Sequence, residues 1–251
     1  MRILLTNDDG IDAPGLAAME KIAQELSDDV WVVAPQQEQS GAGRSLSLTN
    51  PLRLHKHGER RFAVGGTPTD CVMMAVRQVM DGRPDLILSG VNRGANIAED
   101  ITYSGTVAAA MEGTLLGVPS IAMSQIGYAD QVIRWQTAIR HAPGIVRRLL
   151  ENGWPKDVLI NVNYPDVEPD EVNGVHVVPH GRRDQADVTI DARMDGRNIP
   201  YYWIGMRRQK ALPPAGTDIG TIWRGGISVT PISLNLTDRD ALDPLGRVFQ
   251  D

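Results

Sequence analysis

Apolar runs and helical stripes alternate along most of this chain. Residues 2–6 form a short apolar run closed at once by turn residues, which predicts a buried strand. From Pro14 onward, apolar side chains fall at Leu16, Met19, Ile22, Ala23 and Leu26, which is helical spacing with proline in the first turn. Residues 29–34 read as the next strand and 35–46 as a loop rich in Gln, Ser and Gly. A weaker strand is expected over 46–57 and another over 61–64. Thr67 caps a helix over 68–80, and a short strand follows over 85–89. A third helix is predicted over 105–116, ended by Gly117 with Pro119 beyond it. Then come a strand over 119–124, an amphipathic helix over 131–151 and a strand over 157–164. This order implies a mostly parallel sheet with helices on both faces, a three-layer α/β core over residues 1–180.

The pattern changes after about residue 180. Residues 181–232 show little helical periodicity. Two hairpin-like units are expected instead. One pairs residues 186–193 with 198–205 around Asp195-Gly196. The other pairs 220–223 with 227–231 around Gly225-Gly226. The aromatic residues of this stretch suggest a partly exposed sheet, so residues 181–251 are expected to serve oligomer contacts, within one structural domain overall.

Composition narrows the function classes. With 251 residues and 42% hydrophobic content, the chain has the make-up of an ordinary globular protein. It has no charge-free apolar stretch long enough to span a bilayer, so no membrane partner is expected. Met1 leads straight into a strand without a basic and apolar leader, so the expected location is the cytoplasm. The single cysteine, Cys71, excludes an internal disulfide and a cysteine-based zinc cage. A formal charge of −6 argues against a nucleic-acid polymer as partner, but not against a small anionic substrate.

The candidate chemistry lies at the carboxyl ends of the predicted strands, where open α/β sheets bind ligands. After the first strand come Asn7, Asp8, Asp9 and Gly10. Adjacent carboxylates repel, and burying either one unpaired is costly. A divalent cation removes both difficulties; a solvated turn capping the next helix is the alternative. Ser40 follows the second strand, and Asn92 follows the strand ending near Ser89. All four side chains offer oxygen, which suits Mg²⁺, Mn²⁺ or Ca²⁺ rather than a thiolate-seeking metal. Tyr103-Ser104-Gly105-Thr106 opens a predicted helix and could either hold an anion or simply cap. Residues 65–70 form a similar glycine turn and cap. The five histidines show no ligand spacing. The P-loop, dinucleotide and Gly-x-Ser-x-Gly patterns are all missing.

Five ordered segments carry a resemblance to a known family. They are Ile3-Leu4-Leu5-Thr6-Asn7-Asp8-Asp9-Gly10, Ser40-Gly41, Gly66-Thr67-Pro68-Thr69-Asp70-Cys71, Ser89-Gly90-Val91-Asn92-Arg93-Gly94, and the run from Tyr103 to Glu112. Together with Pro231-Ile232-Ser233-Leu234-Asn235, they closely resemble the SurE family of metal-dependent 5′/3′-nucleotidases. The resemblance implies a Rossmann-like core and a C-terminal part that builds a homodimer or homotetramer. It implies one divalent cation, Mn²⁺ or Mg²⁺, on Asp8, Asp9, Ser40 and Asn92. It implies phosphate release from nucleoside 5′- or 3′-monophosphates, and from short polyphosphate in some members. In that reading Asn96, Ser104, Gly105 and Thr106 hold the phosphate. Asp8 and Asp9 are the catalytic candidates, with Asp9 the first choice for orienting or deprotonating the water. Arg93 departs from the residues common at that position and adds a local charge. Two rivals are weighed: an aspartyl-phosphate enzyme, whose usual Asp-x-Asp spacing the adjacent Asp8 and Asp9 do not supply, and a non-catalytic metal-dependent nucleotide-binding protein.

Overall fold

Strand β1 (Arg2–Thr6) lies in the middle of a sheet because it is apolar on both faces: Ile3, Leu4 and Leu5 are all fully buried. In this computed structural model, which describes residues 1–127, 132–182, 188–206 and 213–249, β1 has a parallel neighbour on each side. On one side β2 (Asp29–Pro35) leads to β4 (Arg61–Val64), and β3 (Leu54–Gly58) closes that edge antiparallel. On the other side β5 (Leu86–Arg93), β6 (Ser120–Gln125) and β7 (Val158–Tyr164) follow in parallel. Beyond β7 come β11 (Ile227–Ser233), antiparallel to it, and β8 (Val175–Val177). The nine-stranded order is β3-β4-β2-β1-β5-β6-β7-β11-β8.

Alternation along β1 sends Ile3 and Leu5 to one face and Leu4 to the other. Ile3 and Leu5 share a core with Leu16, Met19 and Ile22 of α1 (Pro14–Gln24) and with Ala138 and Val146 of α4 (Trp135–Asn152). Leu4 joins Val72 of α2 (Pro68–Met74) and Ala109 of α3 (Gly105–Leu115). The result is the three-layer, mostly parallel α/β fold expected from the pattern. From β1 the chain moves outward through β2 and β4, then returns to β5 on β1's other side. The order of strands therefore reverses between β1 and β5, and that reversal opens a crevice at their carboxyl ends.

Several elements differ from expectation. The helix after Pro68 is α-helical only to Met74 and continues as a π-helical turn over Ala75–Val79. The strand expected over 46–57 is confined to β3. Helix α4 begins at Trp135; residue 131, the expected start, lies outside the described residues. The first hairpin is present as β9 (Val188–Met194) with β10 (Pro200–Met206), paired only with each other. Its expected residues 186 and 187 also lie outside the described set. The second hairpin is not formed. Residues 218–223 make a short helix, α5 (Asp218–Trp223), and only β11 is a strand, built into the main sheet. Thr217 decides this: its hydroxyl accepts from Gly220 N at 3.2 Å, an N-cap that the neighbouring Gly-Gly turn concealed. The chain closes with α6 (Leu242–Val248).

Candidate active site

The loop after β1 turns tightly because Asn7 Nδ2 donates to the Gly10 carbonyl at 2.8 Å. This places Asp8 inward and Asp9 at the rim. Asp8 is 4% exposed, and Asp9 is half-buried. The first turn of α3 closes on Asp8 from above. Thr106 Oγ1 donates to Asp8 Oδ1 at 2.5 Å. Gly105 has to be glycine here, since a Cβ would lie 2.8 Å from the Asp8 Cβ and 3.0 Å from Pro68. Ser104 caps the helix by accepting from Val107 N at 3.1 Å. The Gly105 and Thr106 N–H groups precede the first intrahelical hydrogen bond, so they have no partner within the helix, and the Thr106 N–H is directed at the Asp8 carboxylate.

The other two loops arrive through backbone contacts. Gln39 N donates to the Asp8 carbonyl at 2.8 Å, which ties the loop carrying Ser40 to the loop after β1. Gly43 N donates to the Tyr103 carbonyl at 3.1 Å, tying the same loop to the approach of α3. Arg93 N donates to Asp9 Oδ2 at 3.0 Å, which anchors the end of β5. The pairing of β5 with β6 shifts between Ser89 and Asn92, a bulge that re-aims the strand end carrying Asn92. Asn92 Nδ2 donates to the Gly94 carbonyl at 2.8 Å, which leaves its Oδ1 to point elsewhere.

Electrostatics mark the pair as unusual. Burial pushes the Asp8 carboxyl up to about 6, opposed by the Thr106 hydrogen bond and reinforced by the charge of Asp9. Asp9 is also raised, chiefly by burial and further by Glu38, while the Arg93 amide and charge work against the rise. The fold thus holds two carboxylates where neither ionises comfortably alone. Among the described residues no three His, Cys, Asp or Glu side chains gather into a cage. The donors at hand are two carboxylates and the neutral oxygens of Ser40 and Asn92, an all-oxygen set that fits a hard divalent cation. The Asn7 Oδ1 beside the pair is buried with no partner among the described residues.

Asn96 is held differently. Its N accepts no part in the crevice turn but donates to Asn163 Oδ1 at 2.8 Å, and its carbonyl accepts from Asn161 and Asn163. Its Nδ2 donates to Ser124 Oγ at 2.8 Å. The hydrogen bonds described tie it to β6 and β7 rather than to Asp8 or Asp9. Asn161, Asn163 and Ser124 escaped the reading of the sequence, although two asparagines two apart in the apolar run Ile160-Asn161-Val162-Asn163 signal a buried polar face. Glu38 escaped too; its Oε1 accepts from Ser40 Oγ at 2.9 Å. The Thr67–Asp70 segment is a capping box, with Asp70 accepting from Thr67 N and Ser47 N, so that carboxylate is committed to structure. Cys71 is fully buried with its thiol pushed well up, the state of a structural thiol. A larger cavity, of about 550 Å³, lies at the amino ends of β6 and β7 between Arg83, Leu115, Trp154 and Lys156. No carboxylate lines it, and the Asp8–Asp9 pair lies at the opposite end of the sheet.

Comparison with known proteins gives a consistent answer. The family model described as "Survival protein SurE" matches residues 3–187. A protein of Parvibaculum lavamentivorans described as 5′-nucleotidase SurE is 54% identical over all of this chain and 93% of its own length. A protein of Caulobacter vibrioides with the same description is 55% identical over 99% of this chain and 96% of its own. The crystal structure of the SurE protein from Aquifex aeolicus superposes with a TM-score of 0.87 at 37% identity, each chain covered completely. The carboxylate pair at the β1–β5 crevice therefore sits in a chain that belongs to the SurE family.

Proposed function

We propose that this chain is a metal-dependent nucleotidase that hydrolyses nucleoside 5′-monophosphates to nucleoside and phosphate. The observation that carries this reading is the buried Asp8 with Asp9 beside it, closed over by a helix start, in a chain whose relatives are described as 5′-nucleotidases. Asp8, Asp9, Ser40 and Asn92 would hold one divalent cation, Mn²⁺ or Mg²⁺. Such a cation, when bound, supplies positive charge to a phosphoryl oxygen and acidifies water.

The chain's own groups supply the rest. The Gly105 and Thr106 amides and the helix dipole receive the phosphoryl oxygens, with Ser104 holding the turn in place. Thr106 keeps Asp8 in one orientation. Asp9, nearer the rim, orients the attacking water and accepts its proton. The water oxygen forms a bond to phosphorus as the ester P–O bond breaks, and the leaving ribose oxygen takes a proton. Preorganised charge stabilisation provides most of the acceleration. Asn96 acts as a donor to phosphate through its remaining amide hydrogen.

Assembly belongs to the same proposal. Directly paired residues of the β9–β10 hairpin share a face. One face carries Val188, Ile190, Met194, Tyr202 and Ile204, each between 53% and 77% exposed. A second copy of this chain would cover it, in a homodimer or homotetramer. No helix among the described residues is long and apolar enough to cross a membrane.

The test is phosphate release from a panel of nucleoside 5′- and 3′-monophosphates and tripolyphosphate. The panel is run in EDTA, then with Mn²⁺ or Mg²⁺ restored, beside Asp8→Asn. Metal-restored release lost in the variant supports the reading and ranks 5′, 3′ and polyphosphate substrates. Tight nucleotide binding without release under any of these metals would replace it with a binding protein.

A further inference from the structure

A nucleotidase needs a seat for the nucleoside as well as for the phosphate. We propose that the cavity of about 300 Å³ beside Asp9 takes the nucleoside, with the Trp135 indole as the surface on which the base stacks. This inference rests on the nucleotidase reading.

Position is the first argument. Asp9 belongs both to the carboxylate pair and to this cavity's wall. Glu38, whose carboxylate accepts from Ser40, lines the same wall. The cavity therefore opens beside two of the positions assigned to the cation. A ligand seated in it can extend a phosphate to the start of α3. The larger cavity at the amino ends of the strands offers no such reach.

Chemistry is the second. Pro14, Ile133 and Trp135 give an apolar side, and Asp9, Glu38 and Arg93 a polar one. Apolar walls with a few convergent polar groups are the usual lining of a small-molecule site, and this volume stands at the small end of the roughly 300–1,000 Å³ range. It suits one base and one sugar rather than a dinucleotide. An ionised carboxylate only accepts, and the two ribose hydroxyls can donate to Glu38. The exposed Arg93 adds positive charge at the rim, which draws an anionic ligand toward the cavity.

Rigidity is the third. Trp135 is half-buried at the start of α4 and packs against the main core while also lining the cavity. It meets α1 at Gly15, where a Cβ would lie 1.9 Å from the Val91 carbonyl oxygen and 3.1 Å from Trp135 Cη2. The indole, carried on α4, is thus packed with its edge on α1, and a preorganised aromatic surface loses little freedom on stacking.

The deciding experiment uses the two reaction products, which cannot turn over. Adenosine and inorganic phosphate are titrated by calorimetry into the full-length protein with Mg²⁺ present. The same titrations are made with Trp135→Leu and Trp135→Phe. The expected result is adenosine affinity about 5- to 100-fold weaker in Trp135→Leu, the factor that base–aromatic stacking carries. Phosphate affinity should shift far less, and Trp135→Phe should keep most of the adenosine affinity. Adenosine affinity that ignores Trp135→Leu, or that is absent in the unaltered protein, overturns the proposal. So does an equal loss for both ligands in both variants, which marks a purely structural tryptophan. Adenosine binding that depends on Trp135 without phosphate release would keep the subsite and remove the nucleotidase reading. Release with Trp135-independent adenosine binding would do the reverse.

Discussion

The crevice at β1 and β5 and the β9–β10 hairpin solve opposite problems. In the crevice, carboxylates from the exposed Glu38 through the half-buried Asp9 to the buried Asp8 each have a partner from the same chain: Thr106 on Asp8, the Arg93 amide on Asp9, the Ser40 hydroxyl on Glu38. In the hairpin, apolar groups are exposed, and the two strands pair with nothing but each other. An isolated two-stranded ribbon is marginal in water. The crevice is completed by the fold, whereas the hairpin's apolar face is left uncovered by the described residues of this chain. α6 is similar, with Leu242, Leu245 and Val248 along it between 56% and 72% exposed.

The hairpin gives the largest expected effect. Ile190→Asp with Ile204→Lys removes two directly paired anchors, each worth about 1.5–3 kcal/mol when fully buried. Sedimentation should show dissociation to smaller species at micromolar concentration; an unaltered mass would mean that this face is not the contact. In the crevice, Asp8→Asn and Asp9→Asn should each slow phosphate release roughly 10²–10³-fold, the scale of losing one group that stabilises developing charge. Full rates in both variants would move the chemistry elsewhere.

Stability should respond in the opposite direction. Asp8 has a folded pKa near 6, above its ordinary 3.8, so its ionisation costs stability. That cost is absent below pH 4, grows between pH 4 and 6, and stays constant above, at about 3 kcal/mol for a shift of this size. Without divalent metal, Asp8→Asn should therefore melt higher than the unaltered protein at pH 7.5, by roughly 5–10 °C, and equally at pH 4. Added Mn²⁺ should raise the unaltered protein and not the variant. A variant that melts lower at pH 7.5 without metal would show that the fold pays nothing to keep this charge. The smallest effect is expected at Arg93. Arg93→Ala should lower kcat/KM about 3- to 10-fold at low salt, and less at high salt, because an exposed cation steers an anionic substrate. A loss independent of salt would point to a direct contact.

The same contrast explains what the sequence could reveal. Local patterns were enough for β1, α1, α3 and the loops after them, since apolar period, caps and turn residues all agree there. Asp8, Asp9, Ser40 and Asn92 could be singled out as candidates because strand ends are where α/β sheets place ligands. Asn161, Asn163, Ser124, Glu38 and Trp135 were not, because each gains its meaning from a neighbour distant in sequence. Asn163 meets Asn96 across 67 residues. α5 was misread for a different reason: two local signals, the Thr217 cap and the Gly225-Gly226 turn, overlap within ten residues, and only packing chose between them.

The placement of β11 also sets a clock. It pairs along the outer side of β7, the strand that carries Asn161 and Asn163, but it lies far downstream, at residues 227–233. During synthesis at about 5–20 residues per second, β7 emerges several seconds before its outer neighbour. For that interval it is an open apolar edge, able to pair with another nascent chain. The polar Asn161 and Asn163 within it thus stand where a growing polypeptide is most exposed to its siblings on the same message.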